Sequence, residues 1–141
     1  MAWGAFLQAH LDELTPTAPA ESRHALDLEA LRRPSVRLWV AREGADIVGT
    51  AALAALEFRH EELKSTRTHP ARRGGGIASC LLHHLLADAR SRDVRRVSLE
   101  TGSMDFFAPA RAFYGNAGFV RCPPFGAYTN DPNSVYMTLA L

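Results

Sequence analysis

Apolar positions along the 141-residue chain change period several times, and each change predicts a different element. Trp3, Phe6, Leu7, His10, Leu11 and Leu14 fall at helical spacing. The segment Thr15-Pro16-Thr17-Ala18-Pro19 ends that helix, because proline cannot continue the backbone ladder. Ser22 is placed to cap a second, short helix through Ala25, Leu26, Leu28 and Leu31 that closes before Pro34. Val36 to Ala41 and Ile47 to Leu56 are β-branched or apolar runs separated by Glu43-Gly44-Ala45-Asp46, a hairpin signal. Glu62 to Thr68 predicts the next strand, stopped by His69-Pro70.

From Ile77 the period lengthens again. Ile77, Leu81, Leu85 and Ala89 recur every four residues with Ala78, Leu82 and Leu86 beside them, predicting a helix of about four turns with one face on a sheet and His83 on the other. Val94 to Thr101 then predicts a strand, Pro109 to Asn116 a short helix ending near Gly118, and Phe119 to Cys122 and Ser134 to Leu141 two further strands. This order predicts a single α/β (α+β) domain over residues 1–141, with a mostly antiparallel sheet flanked by helices and one parallel crossover through the long helix.

The junction before the long helix carries the first chemical signal. Arg72-Arg73-Gly74-Gly75-Gly76 leads straight into the helix, so several amides without helical partners lie beside the positive end of its dipole. Glycines there let an anion approach the backbone. The residues alone leave open an anion site and a plain glycine-rich turn. A Walker loop would need a lysine after the glycines, and a dinucleotide fingerprint would need a glycine where Ser79 stands and a second βαβ half.

Charge and cysteine content narrow the remaining classes. With 16 Lys plus Arg against 15 Asp plus Glu there is no general field for nucleic acid or an anionic membrane, so neither is expected as a partner. Cys80 and Cys122 lack a CxxC or Cys/His pattern and read as reduced thiols. His83 and His84, adjacent on a helix, face about 100 degrees apart, and no HExxH spacing occurs, so no metal is expected. The N-terminus lacks a basic n-region and an unbroken apolar run, and no stretch reaches membrane-spanning length, which predicts a cytoplasmic protein.

Arg73-x-x-Gly76-x-Ala78, following a strand, matches the R/Q-x-x-G-x-G/A motif of the GNAT superfamily of N-acetyltransferases. Downstream, Phe113-Tyr114-Gly115-Asn116-Ala117-Gly118-Phe119 matches the family's second block, an aromatic pair followed by Gly-Phe. Further phrases resemble the small bacterial indole-acetic-acid-acetyltransferase-like branch: His24-Ala25-Leu26-Asp27, Glu62-Leu63-Lys64-Ser65, Leu99-Glu100-Thr101-Gly102-Ser103-Met104 and Asp131-Pro132-Asn133-Ser134-Val135. The resemblance covers most of the chain.

It implies a GNAT-type fold and an acyltransferase that uses acetyl-CoA as co-substrate to acetylate an amine of a small molecule or peptide, and it leaves a homodimer open. The cofactor's arm is expected on the strand edge at Thr66, Arg67 and Thr68, and its pyrophosphate on Gly74, Gly75, Gly76, Ile77, Ala78 and Ser79 with Arg73 as cation. Tyr114 takes the family's place for protonating the departing thiolate; the competing reading is an aromatic packing residue. The candidate bases are Glu62, Glu100 and His24, with Glu100 ahead because it stands where the central strands are expected to diverge. The loop from Pro123 to Asn133 offers Tyr128, Asp131 and Asn133 to the acceptor. Two departures accompany the match: Phe107 stands where many members place a cofactor-contacting asparagine, and the family's opening strand is expected to be absent before the first helix. They give some weight to a different class, a non-catalytic acyl-CoA binding or sensing module.

Overall fold

The computed structural model describes residues 35–141. The two helices expected before Pro34, the expected absence of an opening strand and the candidate base His24 lie outside the described residues.

β1 (Val36–Glu43) and β2 (Asp46–Glu57) form the expected hairpin, turning at Gly44 with φ +62°. β3 (His60–Thr68) follows antiparallel to β2. The long helix α1 (Ile77–Ser91) then crosses to β4 (Arg96–Gly102), which lies parallel to β3. A short helix α2 (Ala108–Asn116), the two-residue strand β5 (Val120–Arg121) and β6 (Ser134–Ala140) complete the order. Among the described residues six strands form one sheet in the order β1-β2-β3-β4-β6-β5, with β3–β4 paired parallel. This is the mixed, mostly antiparallel architecture that the periodicity predicts.

α1 forms because its stripe has a sheet to lie on. Leu81, Leu82, Leu85, Leu86 and Ala89 are buried, and they share a core with Leu53 and Leu63 from the first strands and Leu99 and Val135 from the later ones. His83 is exposed. The helix approaches β2 closely because Gly49 has no side chain: a Cβ there would stand 2.7 Å from Ile77 Cγ2 and 2.9 Å from Leu81 Cδ1. At its far end Arg92 donates to both carboxylate oxygens of Glu61 at 2.9 Å and to Asp88 at 2.7 Å, tying the helix C-terminus to β3. Both ends of α1 are therefore located against the sheet. Among the described residues no helix is long and apolar enough to cross a membrane.

The strand pattern does not reveal one interruption. Ala52 pairs with Lys64 but Thr50 pairs with Arg67, so Ser65 and Thr66 together oppose Ala51 in a β-bulge. Ser65 takes φ +55°, and the fully buried Thr50 hydroxyl donates to Ser65 O at 3.1 Å. A carbonyl displaced from the ladder is thus satisfied inside the protein. Just before this bulge β3 parts from β4: their ladder runs only from His60–Arg96 to Leu63–Leu99.

Leu85 is fully buried at the centre of the helix–sheet contact. Leu85→Ala should lower unfolding free energy by about 2–5 kcal/mol, read as a fall in the urea midpoint at unchanged m-value.

Candidate active site

The parting of β3 and β4 leaves the β3 edge from Lys64 onward without a ladder partner on that side. A cleft of about 680 Å³ opens there, lined along one side by Thr66, Arg67 and Thr68 and at one end by Arg72, Arg73, Gly74, Gly76, Ile77, Ala78 and Ser79. Nine of the ten residues expected to meet the cofactor therefore line one cleft. Gly75 is the tenth: it is not part of the lining, and its amide donates to Arg72 O at 3.3 Å in the turn that presents its neighbours. Gly74 and Gly76 have φ of +85° and +84°, and a Cβ on either would meet nothing within 4 Å. Their glycines serve conformation and access rather than packing.

Gly76 is the N-cap of α1 and supplies no side-chain hydrogen bond, so the first-turn amides of the helix receive no capping side chain. Those amides carry the positive end of the dipole into the cleft. Arg72 is held by Glu43 at 2.8 Å. The combination suits a phosphate-bearing ligand whose extended arm can add to the β3 edge as a further strand.

The opposite wall was marked in the sequence only by Phe107 and Phe113. Phe106, Phe107, Pro109, Ala110 and Phe113, from α2 and the turn before it, line it. Phe113 precedes the motif tyrosine, which was a usable signal; nothing in the spacing marks Phe106. Tyr114 itself does not line the cleft. It is buried in the core between Phe113 and Phe119, with ring centroids at 5.2 and 5.6 Å. Burial raises its phenol pKa, and the Thr66 side chain, which does line the cleft, partly offsets the rise. Thr66 Oγ1 is buried and completes no well-formed hydrogen bond, so this polar contact is loose.

Glu62 and Glu100 alternate with the core residues Leu63 and Leu99 and so lie on the sheet face away from α1. Glu62 is buried there, accepts from Tyr128 Oη at 2.5 Å and lies 3.6 Å from Lys64 Nζ. Lys64 also donates to the Tyr128 hydroxyl at 3.3 Å. Tyr128 packs against Phe125 and Tyr136, and burial together with Glu62 and Glu100 pushes its phenol pKa far above the ordinary range. Glu100 stands one residue past the end of the β3–β4 ladder and accepts from Ser134 Oγ at 2.7 Å. Burial, resisted by the Ser134 hydrogen bond, raises its pKa to about 7; the charges of Glu62 and Asp131 add to the rise and that of Lys64 opposes it.

The three acceptor-loop residues separate. Tyr128 joins the Glu62–Lys64 group. Asp131 lines a second hollow of about 410 Å³ with Arg121, Cys122, Asn130, Ser134 and Tyr136, and its carboxylate accepts from Asn133 N at 2.9 Å. Asn133 lines neither space, and its carbonyl accepts from Ser103 N at 3.0 Å, which binds the loop to the end of β4. Lys64 and Ser134 complete the acid cluster and were not among the predicted site residues, although both stand within phrases that resemble the family.

Comparison with known proteins places the chain. The acetyltransferase (GNAT) family matches residues 3–119. The chain is 47% identical over 132 residues to YsnE of Bacillus subtilis, described as an uncharacterized N-acetyltransferase, covering 94% of this chain and 87% of that protein. It is 39% identical over 120 residues to an IAA acetyltransferase of Azospirillum brasilense, covering 84% and 77%. A crystal structure from Klebsiella pneumoniae, provisionally assigned as an acyl-CoA N-acyltransferase, superposes with a TM-score of 0.81 at 32% identity over 97% of this chain and 88% of that one. With the motif cleft and the sheet topology, these matches show that the chain belongs to the GNAT family and is an acetyl-CoA-dependent acyltransferase.

Proposed function

We propose that this enzyme transfers the acetyl group of acetyl-CoA to an amine nitrogen of a small molecule or peptide by direct attack, without a covalent enzyme intermediate. The observation that carries this reading is the uncapped first turn of α1 opening, through Gly74 and Gly76, into a cleft whose other side is the unpaired edge of β3. The pyrophosphate binds the amides of Gly74, Gly76, Ile77, Ala78 and Ser79 with Arg73 near, while Thr66, Arg67 and Thr68 pair with the arm. Gly75 supports the loop from behind.

The amine nitrogen, once neutral, attacks the thioester carbonyl carbon; the new C–N bond forms, the C–S bond breaks, and the thiolate takes up a proton. Glu100 accepts the proton that the acceptor ammonium must lose. Its high proton affinity and its place at the parting of the strands favour it over Glu62, which is already engaged by Tyr128 and Lys64. Tyr114 supplies the thiolate proton by way of the Thr66 side chain, which lines the cleft where Tyr114 itself does not. Tyr128 and Asp131 border the acceptor's approach, and Asn133 holds that loop to β4.

Acetyl-CoA should raise the melting temperature, since a ligand that binds only the native state adds RT ln(1 + [L]/Kd), whereas free acetate should not. Gly76→Ala places a methyl in the anion's path at a left-handed backbone position; it should cost about 1 kcal/mol of apo stability and abolish most of the acetyl-CoA shift. An unchanged shift would place the anion elsewhere.

The base assignment has a pH signature. kcat/KM should climb with pH through about 7 as Glu100 loses its proton. Glu100→Gln should lower kcat/KM by roughly 10²-fold or more. Glu62→Gln should remain active with the rising limb moved to lower pH, because one negative charge that raises the Glu100 pKa is gone. A limb set by the acceptor amine would stay in place. Stability offers a separate readout: the folded chain keeps a proton that the unfolded chain releases, so the wild type should lose stability as pH rises from 4.5 to about 7, and Glu100→Gln should flatten that slope. Loss of turnover in Glu62→Gln alone would make Glu62 the base.

Tyr114→Phe keeps the ring among Phe113 and Phe119 and removes the hydroxyl. With chemistry rate-limiting, kcat should fall by about 10²-fold at nearly unchanged acetyl-CoA affinity. Wild-type kcat would leave Tyr114 as a packing residue.

A further inference from the structure

Gly102 ends β4, is buried, and carries none of the usual reasons for a glycine. Its φ lies outside the left-handed region that Gly44, Gly74, Gly76, Gly118 and Gly126 occupy. It is paired in the ordinary antiparallel ladder with Ser134. What it lacks is room: a Cβ would stand 2.1 Å from Phe107 Cδ2, 2.4 Å from Cε2 and 2.8 Å from Cγ. The Phe107 ring therefore lies directly against the Gly102 backbone. The same ring lines the cleft, at the sequence position where many relatives are expected to carry a cofactor-contacting asparagine.

We infer that Gly102 is a positioning residue that sets the width of the cofactor cleft, by giving the Phe107 ring a seat on the β4 backbone and so keeping it clear of the CoA arm. The inference rests on the assignment of this cleft to acetyl-CoA. A side chain at 102 must displace something, and the backbone is the harder part to move. Gly102 is held by β6 on one side, and its carbonyl accepts from Arg111 Nη1 at 2.7 Å, while the same guanidinium nitrogen donates to Met104 O at 3.0 Å. Phe107 sits on a single 3-10 turn, Asp105–Phe107, closed by its amide to Met104 O at 2.9 Å. Phe106 stands edge-on to it, centroids 5.0 Å apart, and blocks another direction. The open direction is the cleft. A phenylalanine at 107 and a glycine at 102 thus form a matched pair, in which the seated ring bounds the space left for the ligand's arm.

The test is Gly102→Ala, with Phe107→Leu and the double variant, assayed by calorimetric titration of acetyl-CoA, by steady-state kinetics and by thermal melting. In the ligand-free wild type the Gly102 Hα resonances should be shifted upfield by the Phe107 ring current and lose that shift in Phe107→Leu. Gly102→Ala should weaken acetyl-CoA binding and raise its KM by about tenfold or more, with kcat at saturation within about threefold of wild type. Gly102→Ala/Phe107→Leu should recover most of the affinity. A purely structural glycine would instead lower the melting temperature without changing Kd, and the smaller ring-free side chain would not rescue it. Wild-type affinity in Gly102→Ala, or no rescue in the double variant, overturns the inference alone. A wild type that binds no acetyl-CoA overturns the cofactor assignment and the inference with it.

Discussion

The β-bulge at Ser65–Thr66 is the constraint on which the site depends. A parallel strand pair satisfies its backbone groups by continuing side by side, and opening it exposes donors and acceptors on both edges. Here the cost is reduced on the β2 side, where the buried Thr50 hydroxyl meets the Ser65 carbonyl. β3 can then turn away from β4 after Leu63–Leu99 while staying paired to β2 through Arg67 and Thr68. One edge of β3 is released at the point where the glycine loop and the start of α1 stand nearby. Gly49 reinforces the arrangement by letting α1 settle onto β2 beside Ile77 and Leu81, which fixes where the helix dipole points.

The same parting brings together two carboxylates with unequal surroundings. Glu62 has a phenol and an ammonium for company, while Glu100 has one hydroxyl and the repulsion of Glu62 and Asp131. Burial is the main cause of the raised proton affinity of Glu100, and the charge of Glu62 adds to it while that of Lys64 opposes it. The loop between β5 and β6 contributes to this difference from a distance in sequence. Tyr128 reaches Glu62 across 66 residues, and Ser134 reaches Glu100 across 34. Glu62 is thus reached from the β5–β6 loop and Glu100 from the first residue of β6.

Much of the fold was legible because period and punctuation agree. The four-residue recurrence from Ile77 to Ala89 required a surface to cover it, and α1 lies on the sheet with Leu81, Leu85 and Ala89 buried and Ile77 partly so. Gly44 marked the hairpin and His69-Pro70 the end of β3. The two glycine-bearing motifs located the cleft and its family, since their residue types follow from local backbone requirements that a sequence expresses directly. The bulge was not legible, because Ser65 is an ordinary strand residue whose positive φ is imposed by Thr50 and the neighbouring strands. Nor was the wall of Phe106 and Phe107, or the seat that Gly102 provides: a glycine at a normal φ announces nothing until the ring it accommodates is in place. By itself the sequence determined the order of elements among the described residues, the helix that follows the glycine loop and the membership of the family, all consequences of short-range chemistry and periodic burial. Only the tertiary structure decided which groups meet Glu62 and Glu100 and how wide the cleft is, because each depends on side chains that meet across strands rather than along them.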